Sequence, residues 1–136
     1  MDRPGSFWVK SGPDLSAAMI QNAILEGEAN IPTVLHSPLS SCPESPRTIA
    51  RPGPLGGDIE FAVASYLIVA TAGTTLSVSN GWYDENFCWH PEFDVTYGTP
   101  LGPARRTGPH SWVRNYTRSN AAIDVSGGKM GRVDLL

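Results

Sequence analysis

The chain is short of charge and of cysteine, and it has no long apolar run. Asp, Glu, Lys and Arg together make up 17% of its 136 residues, against roughly a quarter in an average globular chain. With Lys+Arg 10 and Asp+Glu 13 the net charge is −3, so no global positive field favours nucleic acid or an anionic membrane, and neither is expected as a partner. The longest apolar stretch, residues 61–72, is interrupted by Ser65 and Thr71 and falls short of the roughly 20 residues that span a bilayer. It reads as a buried element. Met1-Asp2-Arg3-Pro4-Gly5-Ser6 carries no apolar segment behind a basic start, so no signal peptide is expected. The two cysteines, Cys42 and Cys88, lack CxxC or His spacing, which argues against zinc and leaves one disulfide or two free thiols. No cofactor and no metal are expected. The length also excludes a complete (β/α)8 barrel, which takes about 250 residues.

What the chain has in quantity is glycine and proline, 14 and 12 of them, which describes a loop-heavy single domain. Residues 1–13 form an irregular N-terminal segment in which Phe7-Trp8-Val9 alone could make a strand. Asp14 is a candidate N-cap, and Leu15, Ala18, Met19, Ala23 and Ile24 recur at helical spacing up to Gly27, which is placed to end the helix in a left-handed conformation. A helix over 14–26 follows. Residues 31–36 read as a short strand with apolar residues nearly continuous, as in a strand buried on both faces. Residues 37–57 form a long loop rich in proline and glycine. Asp58 is placed to cap a helix over about 59–71 that is apolar nearly all round, hence packed on both sides. Thr74-Thr75-Leu76-Ser77-Val78-Ser79 alternates as a second strand, and residues 80–111 form a second long loop. The tail, 112–136, holds short β-prone runs, the last two joined by Ser126-Gly127-Gly128-Lys129, a hairpin signal. Trp112, Ile123, Val125, Val133 and Leu135 are the residues that would turn one face of this sheet inward, onto the 59–71 helix.

Strand, long loop, helix, strand and aromatic loop in that order is the rhythm of a parallel α/β barrel. The wording of the second half carries a resemblance. Ser79-Asn80-Gly81-Trp82-Tyr83, Trp89-His90-Pro91-Glu92-Phe93-Asp94, Tyr97-Gly98-Thr99-Pro100-Leu101-Gly102-Pro103-Ala104 and Trp112-Val113-Arg114-Asn115-Tyr116-Thr117 resemble the C-terminal end of glycosyl-hydrolase-like barrel proteins. There a last barrel strand leads through an "EYD.PLG.PLG.A" stretch to a β tail with a "W.R.F....V.V" pattern. The resemblance covers 58–136 well and 14–57 loosely, and Val95-Thr96-Tyr97 departs from the family's Arg-Pro-Leu. It implies an α/β fold: the last two units of a β/α barrel, over 14–95, followed by a small antiparallel β tail. The remaining units have no counterpart in this chain, so a fragment or degenerate relative without turnover of its own is expected, or alternatively a non-catalytic carbohydrate-binding or protein-interaction module.

Under that resemblance a glycan is the expected ligand. Glycosidases use two carboxyl groups across the scissile bond, and Asp84 and Glu85 lie just past the second strand among aromatics that would desolvate them; solvated loop acids are the plainer reading. His36, near the end of the first strand, could support a carboxylate or hold a sugar hydroxyl. Trp82, Tyr83 and Trp89 could present flat faces to sugar C–H bonds, or anchor their loop to the core. Gly53-Pro54-Leu55-Gly56-Gly57-Asp58 could cradle an anion before a helix. Arg105, Arg106, Arg114 and Arg118, interleaved with Trp112 and Tyr116, form the one basic cluster. Uncovered sheet edges point to self-association. The sequon Asn115-Tyr116-Thr117 matters only in a secreted chain, and the compartment stays open.

Overall fold

In a computed structural model the described residues are 12–38, 47–79, 89–128 and 130–136. Among them two helices and two sheets make a mixed α/β architecture. Helix α1 (Pro13–Glu28) places Ala17, Ile20 and Gly27 inward. Its cap is Gly12 in an extended conformation, with Pro13 opening the first turn, a position that suits proline's fixed φ and missing N–H. Asp14 therefore sits inside the first turn rather than at the cap, and its carboxylate meets His110 Nε2 at 2.7 Å. Gly27 also differs from expectation. The left-handed residue after the helix is Asn30, at φ 60°, whereas Gly27 is buried within the helix because a Cβ there would lie 2.9 Å from Thr71 Cγ2.

Strand β1 (Thr33–Pro38) pairs in parallel with β3 (Thr74–Ser79), Leu35 opposite Leu76, and helix α2 (Glu60–Val69) lies between them in the chain. The crossover from one parallel strand to the next thus runs through a helix, as parallel pairing demands. β1 is not buried on both faces. Val34 is 68% exposed and Thr75 opposite it is exposed, since the helical layer covers only the side of the pair that carries Thr74 and Val78.

The second sheet is antiparallel, in the order β2-β7-β6-β5-β4. Its members are β2 (Gly53–Pro54), β4 (Arg105–Gly108), β5 (Ser111–Asn115), β6 (Ser119–Asp124) and β7 (Met130–Leu135). As the alternation predicts, Trp112, Ile123, Val125, Val133 and Leu135 are all buried. α2 packs one side onto β5, β6 and β7 and the other onto β3 and α1, which accounts for its all-round apolar sequence. The sheet is wider than the tail alone, because β2 and β4 come from the two stretches read as loops, as does a 3-10 turn at Pro91–Asp94. Neither strand announces itself: β2 is a Gly-Pro dipeptide, and β4 is an Arg-Arg-Thr-Gly edge with no apolar alternation.

The start of α2 is held by an unexpected group. Ile59, not Asp58, is the cap residue and gives no side-chain cap. Glu60 Oε2 instead accepts the Gly56 N–H at 2.9 Å and the Val133 N–H at 3.2 Å. One carboxylate thereby ties the helix start both to the loop before it and to β7, and its negative charge suits the helix N-terminus.

Candidate functional site

The arginines are deployed on backbone oxygens. Arg47 donates to Leu55 O at 2.7 Å and Gly56 O at 3.1 Å, and its Nη2 lies 3.5 Å from Glu92 Oε1. The Gly56-Gly57 turn, with φ of 64° and 82°, lets this guanidinium lie flat on the backbone; a Cβ on Gly57 would stand 2.7 Å from Arg47 Nη2. The glycine-rich loop, which by sequence could cradle an anion but lacks the Lys-Ser of a phosphate loop, thus turns carbonyls toward a cation. Arg51 gathers three separate strands of chain, donating to Thr96 O at 2.6 Å and to Arg118 O and Leu136 O at 3.1 Å. Arg106 donates to Gly108 O and Pro109 O and covers the Trp112 ring, 4.8 Å from its centroid. Of the basic cluster read from the sequence, Arg106 and Arg114 are engaged in this way.

A cavity of about 650 Å³ opens at the C-terminal end of α2, between its last turn, residues 96–100 and β5. Tyr66, Thr71, Tyr97, Thr99, Arg114 and Tyr116 give it its chemistry. Residues 114 and 116 lie two apart on one extended run and so project to the same side. Arg114 Nη1 donates to Ala70 O at 2.7 Å and Leu67 O at 3.2 Å, satisfying carbonyls that a helix end leaves without partners. Its Nε donates to Gly102 O at 3.0 Å. The Tyr116 hydroxyl donates to Leu67 O at 2.7 Å and accepts from Arg114 Nη1 at 3.3 Å. Across the cavity the Tyr97 hydroxyl donates to Glu92 O at 2.7 Å, while Ser119 Oγ donates to Tyr97 O at 2.8 Å.

The loop wall is fixed by the turn at Gly98. Its φ is 90°, and a Cβ there would press into Thr117 Oγ1 and the Arg118 backbone nitrogen. Thr99 N–H donates to Thr117 Oγ1 at 2.9 Å, and Thr117 N–H returns a bond to Thr99 O at 2.9 Å. Burial pushes the Tyr97 phenol well above its ordinary range, with the nearby Glu92 charge adding to the effect. Burial also raises the Tyr116 phenol, with Arg114 acting in the opposite direction. Both remain protonated hydroxyls at any ordinary pH.

None of the described residues lining this cavity is acidic. Many of the described carboxylates are engaged elsewhere: Asp14 with His110, Glu60 with two backbone amides, Glu92 with Arg47, Asp94 with Trp89, Asp124 with Ser126 and Asp134 with Arg132. Among the described residues no three His, Cys, Asp or Glu side chains form a group that could hold a metal, and no helix is long and apolar enough to cross a membrane.

Asp84, Glu85, Trp82 and Tyr83, together with Cys42 and Cys88, lie outside the described residues. His36 is half-buried in β1 opposite Ser77. Trp89 is 59% exposed, with its indole N–H donating to Asp94 Oδ2 at 2.9 Å and its ring set edgewise to Phe93. The cavity stands just before β3, at Thr71 and Ala72, whereas His36 lies toward the other end of the parallel pair. The sequence reading missed the cavity. Its available signal was the Arg-x-Tyr pair at 114 and 116 on one strand face, together with Tyr66 as the lone hydroxyl-tipped aromatic in an apolar helix. Comparison with known protein families gives no match, and comparison with curated proteins gives none either.

Proposed function

We propose that the chain is a carbohydrate-binding α/β module, the end of a glycosyl-hydrolase-like β/α barrel, that holds glycans without hydrolysing them on its own. The observation that carries this reading is the cavity at the end of α2. Three tyrosines and three threonines line it together with a guanidinium, with no carboxylate among the described lining residues. Pyranose rings present C–H faces to aromatic rings and hydroxyls to polar groups, and a pocket of several hundred Å³ with a few polar groups on an apolar lining suits such a ligand. Hydrolysis would need two carboxyl groups facing each other across a bond, which the described lining does not supply. The parallel β1/β3 pair joined through α2 and the resemblance over 58–136 support the barrel kinship. In that frame Trp82, Tyr83 and Trp89 are proposed as a second, stacking surface, and Asp84, Glu85 and His36 as the remains of a catalytic rim.

Calorimetric titration of the purified chain with an oligosaccharide panel, run beside a reducing-sugar assay, tests the reading. Saturable binding is expected, weakened about tenfold by Tyr66→Ala, which removes an aromatic face, with no reducing ends released. Sugar release that disappears in Asp84→Asn or Glu85→Gln would make the chain an enzyme, and an absence of binding to every glycan would reject the module.

We further propose that two copies associate through β1. Its outer edge has no partner strand among the described residues; Val34 in the strand and Ile31 just before it are exposed, as are Leu15, Met19 and Leu25 on α1, the helix that touches β1. An open edge with apolar flanks is a template for an identical edge. Sedimentation equilibrium should show dimers that Val34→Lys returns to monomers; a wild-type chain monomeric at high concentration would overturn this.

A further inference from the structure

The charge at the heart of the cavity is unbalanced among the described residues. Arg47 has Glu92 within 3.5 Å and Arg132 has Asp134 within 2.9 Å. Arg114, in contrast, has no carboxylate partner among the described residues, only the carbonyls of Leu67, Ala70 and Gly102 and the Tyr116 hydroxyl. The C-terminal end of a helix carries about half a negative charge, so the end of α2 offsets only part of a guanidinium's full charge. Nη1 and Nε make all of these bonds, and the donors of Nη2 are not taken up by any described group. A half-buried, pre-positioned cation with spare donors is a seat for a carboxylate, which guanidinium binds better than any neutral group.

The rest of the wall narrows the choice. A cavity of about 650 Å³ is far larger than an inorganic anion, and Tyr66, Tyr97 and Tyr116 line it beside the hydroxyl-bearing Thr71 and Thr99. The required ligand has a ring-sized body, several hydroxyls and one negative charge. We propose that the cavity binds an acidic sugar, a pyranose bearing a carboxylate that seats on Arg114 while its ring lies among the three tyrosines. This assignment rests on the glycan-binding reading of the same cavity and names the class of sugar it selects. The raised phenols of Tyr97 and Tyr116 stay protonated, so neither adds a phenolate that competes with the ligand's charge.

The test uses the unmodified chain and three oligosaccharides alike in length and linkage: a uronic acid in its free form, the same compound as its methyl ester, and the neutral parent sugar. Calorimetry at low salt should show the free acid bound about tenfold more tightly than the ester, as expected for one charge-assisted contact, and the preference should shrink as salt is added. Ester or neutral sugar bound as tightly as the acid would overturn the acidic-sugar assignment and leave glycan binding intact. Failure of all three to bind would overturn both. Arg114→Gln locates the preference, and its fold is checked by circular dichroism because Arg114 also caps α2. A folded Arg114→Gln chain should bind acid and ester equally, and a preference that persisted in it would remove Arg114 from the site.

Discussion

Trp112→Ala is expected to lower stability by about 3–5 kcal/mol, the range for truncating a fully buried large aromatic. Trp112 is 1% exposed, stands opposite Ile123 in the β5–β6 ladder, and has the Arg106 guanidinium laid over its ring. Truncation would empty the volume between the sheet and its covering layer at a point where the backbone on both sides is pinned by strand pairing, so the gap could not close. A domain of this size has about 5–15 kcal/mol in all, and the variant would lose a large part of it. Urea denaturation should show a lower midpoint at nearly unchanged slope. Trp89→Ala is the control: an indole 59% exposed, with one hydrogen bond to Asp94, should cost about 1 kcal/mol or less. Equal losses in the two variants would mean that Trp89 anchors the core and offers no free face to a ligand.

The tail was legible because its sequence obeys a single local rule. Alternation over Trp112, Ile123, Val125, Val133 and Leu135 assigns one face of each strand to the core, and Ser126-Gly127-Gly128 supplies the turn, with Gly128 at φ 141°. The strand at 74–79 and α1 followed equally from periodicity, and α2 from an apolar run long enough for a helix and apolar nearly all round. The helix ends were less legible, since a cap is a competition among neighbours. Pro13 made Gly12 the cap in preference to Asp14, and Glu60 reached back to Gly56 and across to Val133, leaving Asp58 without that role.

The candidate site was hidden for a different reason. Its parts lie on α2, on residues 96–100 and on β5, and no local pattern says that these three segments meet. The arginines carry the same lesson: Arg51 takes oxygens from Thr96, Arg118 and Leu136, partners that spacing along the chain cannot reveal. Arg114 read as one member of a basic cluster, yet its neighbours in space are the last carbonyls of a helix more than forty residues earlier. Side-chain to backbone contacts at such range depend on the assembled fold and leave no periodic trace.

Gly131→Ala is expected to cost about 1–3 kcal/mol, the range for forcing one extra carbon into a packed interface. Gly131 has an ordinary strand conformation, so its φ does not demand glycine; the demand comes from α2. A Cβ at this position would lie 2.7 Å from Phe61 Cα and 3.1 Å from both Ala64 Cβ and Phe61 Cδ2. Rotation of the Phe61 ring could relieve one of these contacts, but Phe61 Cα is helix backbone and can move only if α2 moves. The helix is held at the same end by the Glu60 bond to Val133 N–H, two residues along the same strand, so lifting it from Gly131 would stretch that bond as well. It also packs on β3 and α1 behind, which leaves little room to retreat. Gly127→Ala is the matched control: nothing stands within 4 Å of its Cβ position and its φ is not positive, so its effect should stay within about 0.5 kcal/mol. If Gly131→Ala proved as harmless as Gly127→Ala in urea denaturation, α2 would not lie directly on β7, and the cavity at the other end of that helix would lose the scaffold that sets its shape.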